Sequence, residues 1–245
     1  MDAQGRESEW ERTWRYVAVA ERLEGPPRPL AAAGLAVLAA SLATLLGTRL
    51  GADLRPTTLQ IAAAAGVAVA TLAVVPLALR TTRTRAHLFL VATALLSSGA
   101  AAIHYAVIDT HFEEWWGFGV FFVGSGLAQL AWAVIAVTWP SRPLFWLGVL
   151  GNAAIVALWI VTRTAGTLLG PDPYEPEPVG LADGIATGFE VVIVLVAVWL
   201  ATVGIPRWRT LRTVTWIVGA VTLGLTVLAL LSVMGAAPDV IPATD

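Results

Sequence analysis

The sequence predicts an all-α integral membrane protein, a seven-transmembrane-helix bundle with its N-terminus cytoplasmic and its C-terminus extracytoplasmic. Three observations predict it. The chain is 57% hydrophobic and only 13% charged over 245 residues, where an ordinary soluble domain carries about 25% charged residues; its mean hydropathy is +0.75. Seven apolar runs follow one another, each near the ~20 residues that carry a helix across a bilayer. The arginines, finally, gather on alternate connections between those runs.

Residues 1–27 are polar and hold Trp10, Trp14, Val17 and Ala18 at helical spacing, the pattern of a short amphipathic helix on a membrane surface or of a charged tail. They lack the apolar core of a signal peptide. Gly25-Pro26-Pro27 breaks that segment, and Pro29 stands where a first-turn proline is tolerated. The spans then run from Pro29 to Leu50, Pro56 to Leu79, Ala86 to Ile108, Trp115 to Trp139, Leu144 to Arg163, Gly180 to Gly204 and Thr213 to Met234. Residues 28–235 thus form one transmembrane domain, and 236–245 a loose extracytoplasmic tail. With the N-terminus inside, the cytoplasmic segments hold twelve arginines and the outer ones only Arg49, Arg55 and Arg163. This is the positive-inside bias that sets orientation. The fifth–sixth connection, GTLLGPDPYEPEPVG, is rich in proline and acids and reads as an ordered loop able to cap a site on the outer side.

Composition excludes several functions. Lysine is absent, so no retinal Schiff base can form. Cysteine is absent as well, which removes disulfides, thiolate ligands and a cysteine nucleophile. Met1 and Met234 alone make no thioether copper site. A net charge of −2 without a basic patch gives no sign of nucleic-acid binding. The arginine-only, alanine-rich composition suggests a GC-rich bacterial host and hence a bacterial inner, or plasma, membrane.

Against this apolar background, His104 to Trp116 (HYAVIDTHFEEWW) stands out, with two of the three histidines and three of the seventeen acids. Ionisable side chains in a span are functional candidates because hydrocarbon does not solvate them. Seven residues return a helix to nearly the same face, and the polar residues repeat at that interval: Ser97, His104 and His111 if the third helix continues past Ile108, Asp183 and Glu190 on the sixth, Asn152 and Trp159 on the fifth. Glu114 and Ser125, eleven apart, would share a face of the fourth. These faces predict a pocket that opens outward, narrows to Glu190 and has Asn152 and Gln129 beneath it.

Three readings of that pocket follow. In the first, His104, His111, Asp183 and Glu190 ligate a divalent metal ion (zinc, iron or manganese), a thiol-free His/carboxylate set of the kind those metals accept. Glu190 and Glu114 would then serve as catalytic acid/base groups, with Asn152, Gln129 and Arg163 orienting the ligands or an apolar, lipid-like substrate. In the second, the chain is a non-catalytic scaffold or assembly subunit, and the same residues only pair, Arg163 with Asp183 or Glu114. In the third, the chain is a proton or solute transporter, with Glu190 and the histidines as relay groups. A b-type haem fits poorly, because both candidate histidines lie on one helix or its extension. The glycine series Gly180, Gly184 and Gly188 reads as a small-residue face for close helix approach, with Gly117, Gly119, Gly124, Gly126, Gly148 and Gly151 serving the same end. Trp115, Trp116, Trp139 and Trp146 read as interfacial anchors.

The seven-span, N-in architecture with a polar pocket resembles the membrane hydrolases of the ceramidase and progestin/adiponectin-receptor superfamily. That resemblance implies a zinc held by histidines, two of them in a His-x-x-x-His pair. This sequence has no such pair, and its remaining histidine, His87, falls at the other side of the membrane. The resemblance stops at architecture, and no family residue maps onto this chain. No protein partner is legible.

Overall fold

The structure, a computed structural model, describes residues 85–204 and 211–233, and the regular structure among them is entirely helical. The helices are α1 (Arg85–Ala106), α2 (Ile108–Glu114), α3 (Trp116–Thr138), α4 (Arg142–Thr164), α5 (Leu181–Thr202) and α6 (Leu211–Val233). All but α2 are long and apolar enough to cross a membrane, five candidate spans among the described residues. They match the third to seventh predicted spans closely. The first two spans, the N-terminal segment, the His87 side chain and the C-terminal tail lie outside the described residues.

Helix α1 is the centre of the bundle. Of its window Phe89–Ala106, 83% is buried, against 22% for α4. It packs against α3, α5 and α6, while α4 packs chiefly against α5. The sequence explains this, because LVATALLSSGAAAI is apolar and small on every face, the pattern of a helix surrounded by others. Small residues let backbones approach where lipid offers no hydrophobic drive between helices. Gly99 marks a close approach: a methyl group there would lie 2.8 Å from Thr222 Cγ2 and 2.9 Å from Phe189 Cε2.

The expected glycine face of α5 needs correction. Among the described residues nothing lies within 4 Å of a methyl group placed at Gly184 or Gly188, and only the side chain of Asp183 lies near Gly180. The close approach uses alanine instead. Ala182 and Ala186, one turn apart, pack with Phe189 against Ala100 and Ile103 of α1 and Ala229 of α6. On α3 and α4 the outcome divides. Gly126 faces Tyr105 and Gly148 faces Trp132, whereas Gly124 and Gly151 face nothing among the described residues.

Two helix boundaries place the site. Helix α1 stops at Ala106, and Val107 (φ −102°, ψ 1°) separates it from α2. The third predicted span therefore does not continue as one regular helix to His111, and the Ser97–His104–His111 series loses its third member to a separate short helix. Trp115 is extended between α2 and α3, so Glu114 also leaves the helix that carries Ser125. At the other end of the bundle, Ser141 caps α4 by accepting from the Leu144 backbone N–H at 3.4 Å, with Pro143 in the first turn. There α3 and α4 touch: Trp132 Nε1 donates to the Leu144 carbonyl at 2.9 Å. Toward the His111 end they carry aromatic and aliphatic residues on opposite walls of a cavity.

The α4–α5 connection is ordered by its own backbone bonds. Tyr174 N–H donates to the Thr167 carbonyl at 2.8 Å and Glu177 N–H to the Thr162 carbonyl at 3.0 Å. Gly170, at φ 112°, brings the loop against Phe118, where a side chain would collide with the ring.

Candidate functional site

The floor of the cavity is a polar network joining four helices. Glu190 of α5 is 1% exposed and His104 of α1 4%. His104 Nε2 donates to Glu190 Oε1 at 2.9 Å. Gln129 of α3 donates through Nε2 to the same oxygen at 3.0 Å and to Asn152 Oδ1 of α4 at 3.4 Å. Asn152 in turn donates to the Gly148 carbonyl at 2.9 Å, and Ser97 to the Gln129 carbonyl at 2.9 Å.

Both Gln129 amide protons thus go to acceptors, and its Oε1 is buried without a partner among the described residues. An unmet buried acceptor costs about 1–3 kcal/mol, so Gln129 is oriented at a cost toward serving Glu190 as a donor. Glu190 Oε1 then accepts from two donors. Glu190 Oε2 and His104 Nδ1 take no hydrogen bond from the described residues, and both side chains line the cavity.

Above the floor the cavity has a volume of about 420 Å³ and mostly apolar walls. Phe118, Phe121 and Phe122 of α3 form one side, and Ile155, Leu158 and Trp159 of α4 the other. Sequence reasoning did not single out the phenylalanines, although a signal was present. Phe118 and Phe122 stand at helical spacing from Ser125 and Gln129 and so share their face. Phe122 contacts both histidines: the His111 ring stacks on it at 4.1 Å between centroids, and His104 lies tilted against it at 5.4 Å.

Arg163, at the C-terminal end of α4, forms the rim. It donates through one terminal nitrogen to Glu177 Oε2 at 2.6 Å and to Thr162 Oγ1 at 2.7 Å, and through the other to Asp183. Its guanidinium also lies 5.7 Å from the Trp159 ring centroid, within cation–π range. The Asp183 pairing matches the expectation; the Glu177 pairing was not foreseen, because a loop residue carries no helical phase to read. Leu168 and Leu169 from the same loop complete the wall.

The expected residues therefore divide into three groups. His104, Glu190, Gln129 and Asn152 come together at the floor. Arg163 and Asp183 meet at the rim. His111 and Glu114 form a separate pair on α2, His111 Nδ1 donating to Glu114 Oε2 at 2.8 Å, with Glu114 exposed. The four residues named as metal ligands do not converge, since His111 is held by Glu114 and Asp183 by Arg163. Among the described residues no group of three or more His, Asp or Glu side chains is placed to hold a metal ion. Nor is a serine or threonine hydroxyl hydrogen-bonded to His104 there, as a nucleophile–base pair would require.

Chemically, the floor can accept or donate a proton at an imidazole oriented by a carboxylate, inside an aromatic enclosure with few other polar groups. No protein-family model, curated protein or solved structure matches this chain.

Proposed function

We propose that this chain is a multi-pass protein of a bacterial plasma membrane, N-terminus inside, that binds an apolar or lipid-like small molecule in an outward-facing cavity. The observation that carries the reading is a buried His104–Glu190 pair at the floor of a mostly apolar cavity of about 420 Å³. Small-molecule sites are typically clefts of about 300–1,000 Å³, apolar and aromatic with a few polar groups that orient the ligand. Keeping an ionisable pair inside a membrane bundle is costly, and such pairs persist where they act on a ligand, ion or proton. The arginine bias in the sequence supports an outward-facing His111 end.

Native mass spectrometry of the protein released from nanodiscs tests this reading. A retained small molecule in the wild type, lost when Ile155→Trp fills the cavity, is the expected result. Equal occupancy of the two proteins, or none in either, would remove it.

A second reading keeps the divalent metal ion, with hydrolysis by a metal-activated water. It is favoured by one observation, that His104 and Glu190 present adjacent nitrogen and oxygen donors to the cavity. These two fall short of the three protein ligands that catalytic zinc sites usually have. Elemental analysis of purified protein, beside His104→Ala, decides it: no stoichiometric zinc, iron or manganese after supplementation eliminates the metal.

A further inference from the structure

We infer that the cavity selects a lipophilic cation, an apolar body carrying an ammonium or similar charge, over neutral and anionic molecules of the same shape. The inference rests on the reading of the cavity as a ligand site and adds the ligand's charge. Two independent features point the same way.

The first is the sign of the charge. The described lining holds three carboxylates, Glu177, Asp183 and Glu190, against one guanidinium, Arg163. Arg163 is already paired through its terminal nitrogens with Glu177 and Asp183, and only its buried Nε–H is left without a partner among the described residues. Glu190 differs from the rim acids. Its partners are an imidazole and a neutral amide, and its Oε2 accepts nothing from the described residues. A charge placed beside that oxygen, away from water, interacts far more strongly than it would in solvent.

The second is the wall. Phe118, Phe121, Phe122 and Trp159 border the space above Glu190, and aromatic faces carry the negative end of the ring quadrupole. Rings around a carboxylate are the arrangement that recognises quaternary ammonium groups, in which the charge cannot donate a hydrogen bond and is held by ring faces instead. The molecule makes a small version of this contact itself, with the Arg163 guanidinium 5.7 Å from the Trp159 ring centroid. A neutral apolar ligand would be served equally well by aliphatic walls and gain nothing from Glu190. An anion would meet uncompensated carboxylate.

The test uses benzyltrimethylammonium and its neutral isostere neopentylbenzene, which differ only in nitrogen against carbon, with phenylmethanesulfonate as the anion. Binding to the full chain in nanodiscs is followed by ligand-observed NMR, with empty nanodiscs subtracted. The cation should bind at least about tenfold tighter than the isostere. Glu190→Gln should abolish that preference, and Phe122→Leu should weaken the cation severalfold while leaving the isostere nearly unchanged. Phe122→Leu keeps the test open if Glu190→Gln does not fold. Equal or tighter binding of the isostere overturns the charge selectivity and leaves the cavity as a ligand site. A cation preference that survives both substitutions overturns the roles given to Glu190 and the ring. Absence of saturable binding by all three probes overturns the cation proposal and, if no native ligand is retained either, the ligand-site reading with it.

Discussion

His104 Nε2 and Glu190 Oε1, separated by 86 positions in the chain, lie 2.9 Å apart with both side chains almost fully enclosed. That contact ties the central helix to α5 and fixes the floor of the cavity. A hydrogen bond to a charged group contributes about 1.5–3 kcal/mol. Neutral hydrogen bonds between membrane helices average only ~0.6 kcal/mol and reach ~1.7. A double-mutant cycle of His104→Leu and Glu190→Leu, with unfolding measured by steric trapping in bicelles, separates the two cases. We expect a coupling of about 2 kcal/mol or more, above the neutral range; a value near the neutral average would mean that the contact ties the two helices no more strongly than an ordinary interhelical hydrogen bond.

Gly99 and Gly184 should respond to alanine with opposite signs. A methyl at Gly99 would lie 2.8–2.9 Å from Thr222, Phe189 and Thr226, and overpacking of this kind costs about 1–3 kcal/mol. At Gly184 nothing lies within 4 Å, so alanine should stabilise by about 0.5–1 kcal/mol through reduced backbone entropy. Thermal unfolding of the two single variants checks both signs.

Arg163 is the only described link from α4 to both Glu177 of the loop and Asp183 of α5. Arg163→Gln should release the α4–α5 connection. Amide hydrogen exchange across residues 166–178 should then rise at least about tenfold, equivalent to ~1.4 kcal/mol of lost local stability, with little change in α1. Unchanged exchange would mean that the backbone bonds of Tyr174 and Glu177 hold the loop without the arginine.

Because the chain has no cysteine, single substitutions report orientation cleanly. Leu168, 74% exposed on the loop, should react as Leu168→Cys with a membrane-impermeant maleimide in intact cells. Trp139→Cys, at the opposite end and 67% exposed in the wild type, should react only after permeabilisation. The reverse pattern would invert the proposed topology.

The five described spans and the floor were legible in the sequence because both depend on one helix at a time. A bilayer demands long apolar runs, and helical phase alone places His104, Gln129, Asn152 and Glu190 on inward faces. What escaped depends on two segments meeting. The break at Val107 has no proline or glycine beside it, so nothing local announces that His111 departs from the α1 axis. Gly184 and Ala186 are both small, and only the bundle decides that the alanine face is covered and the glycine face open. Glu177 reaches Arg163 from a loop whose course no periodicity predicts. His111 pairs with Glu114 within α2, and Asp183 with Arg163 across the rim.

The central position of α1 has a consequence for biogenesis. Its span has a mean hydropathy of 1.5 against 2.0–2.2 for the four described spans that follow, yet it is the one most fully enclosed. Thr93, Ser97 and His104 account for much of that deficit, and polar residues weaken insertion of a helix on its own. The described helices that pack against α1 are translated after it, and Glu190 emerges 86 positions later than His104. During synthesis the most polar of these spans must therefore be accommodated before its cover exists. A nascent chain arrested ahead of α5 would carry a histidine without its carboxylate partner, a natural mark for quality-control proteases.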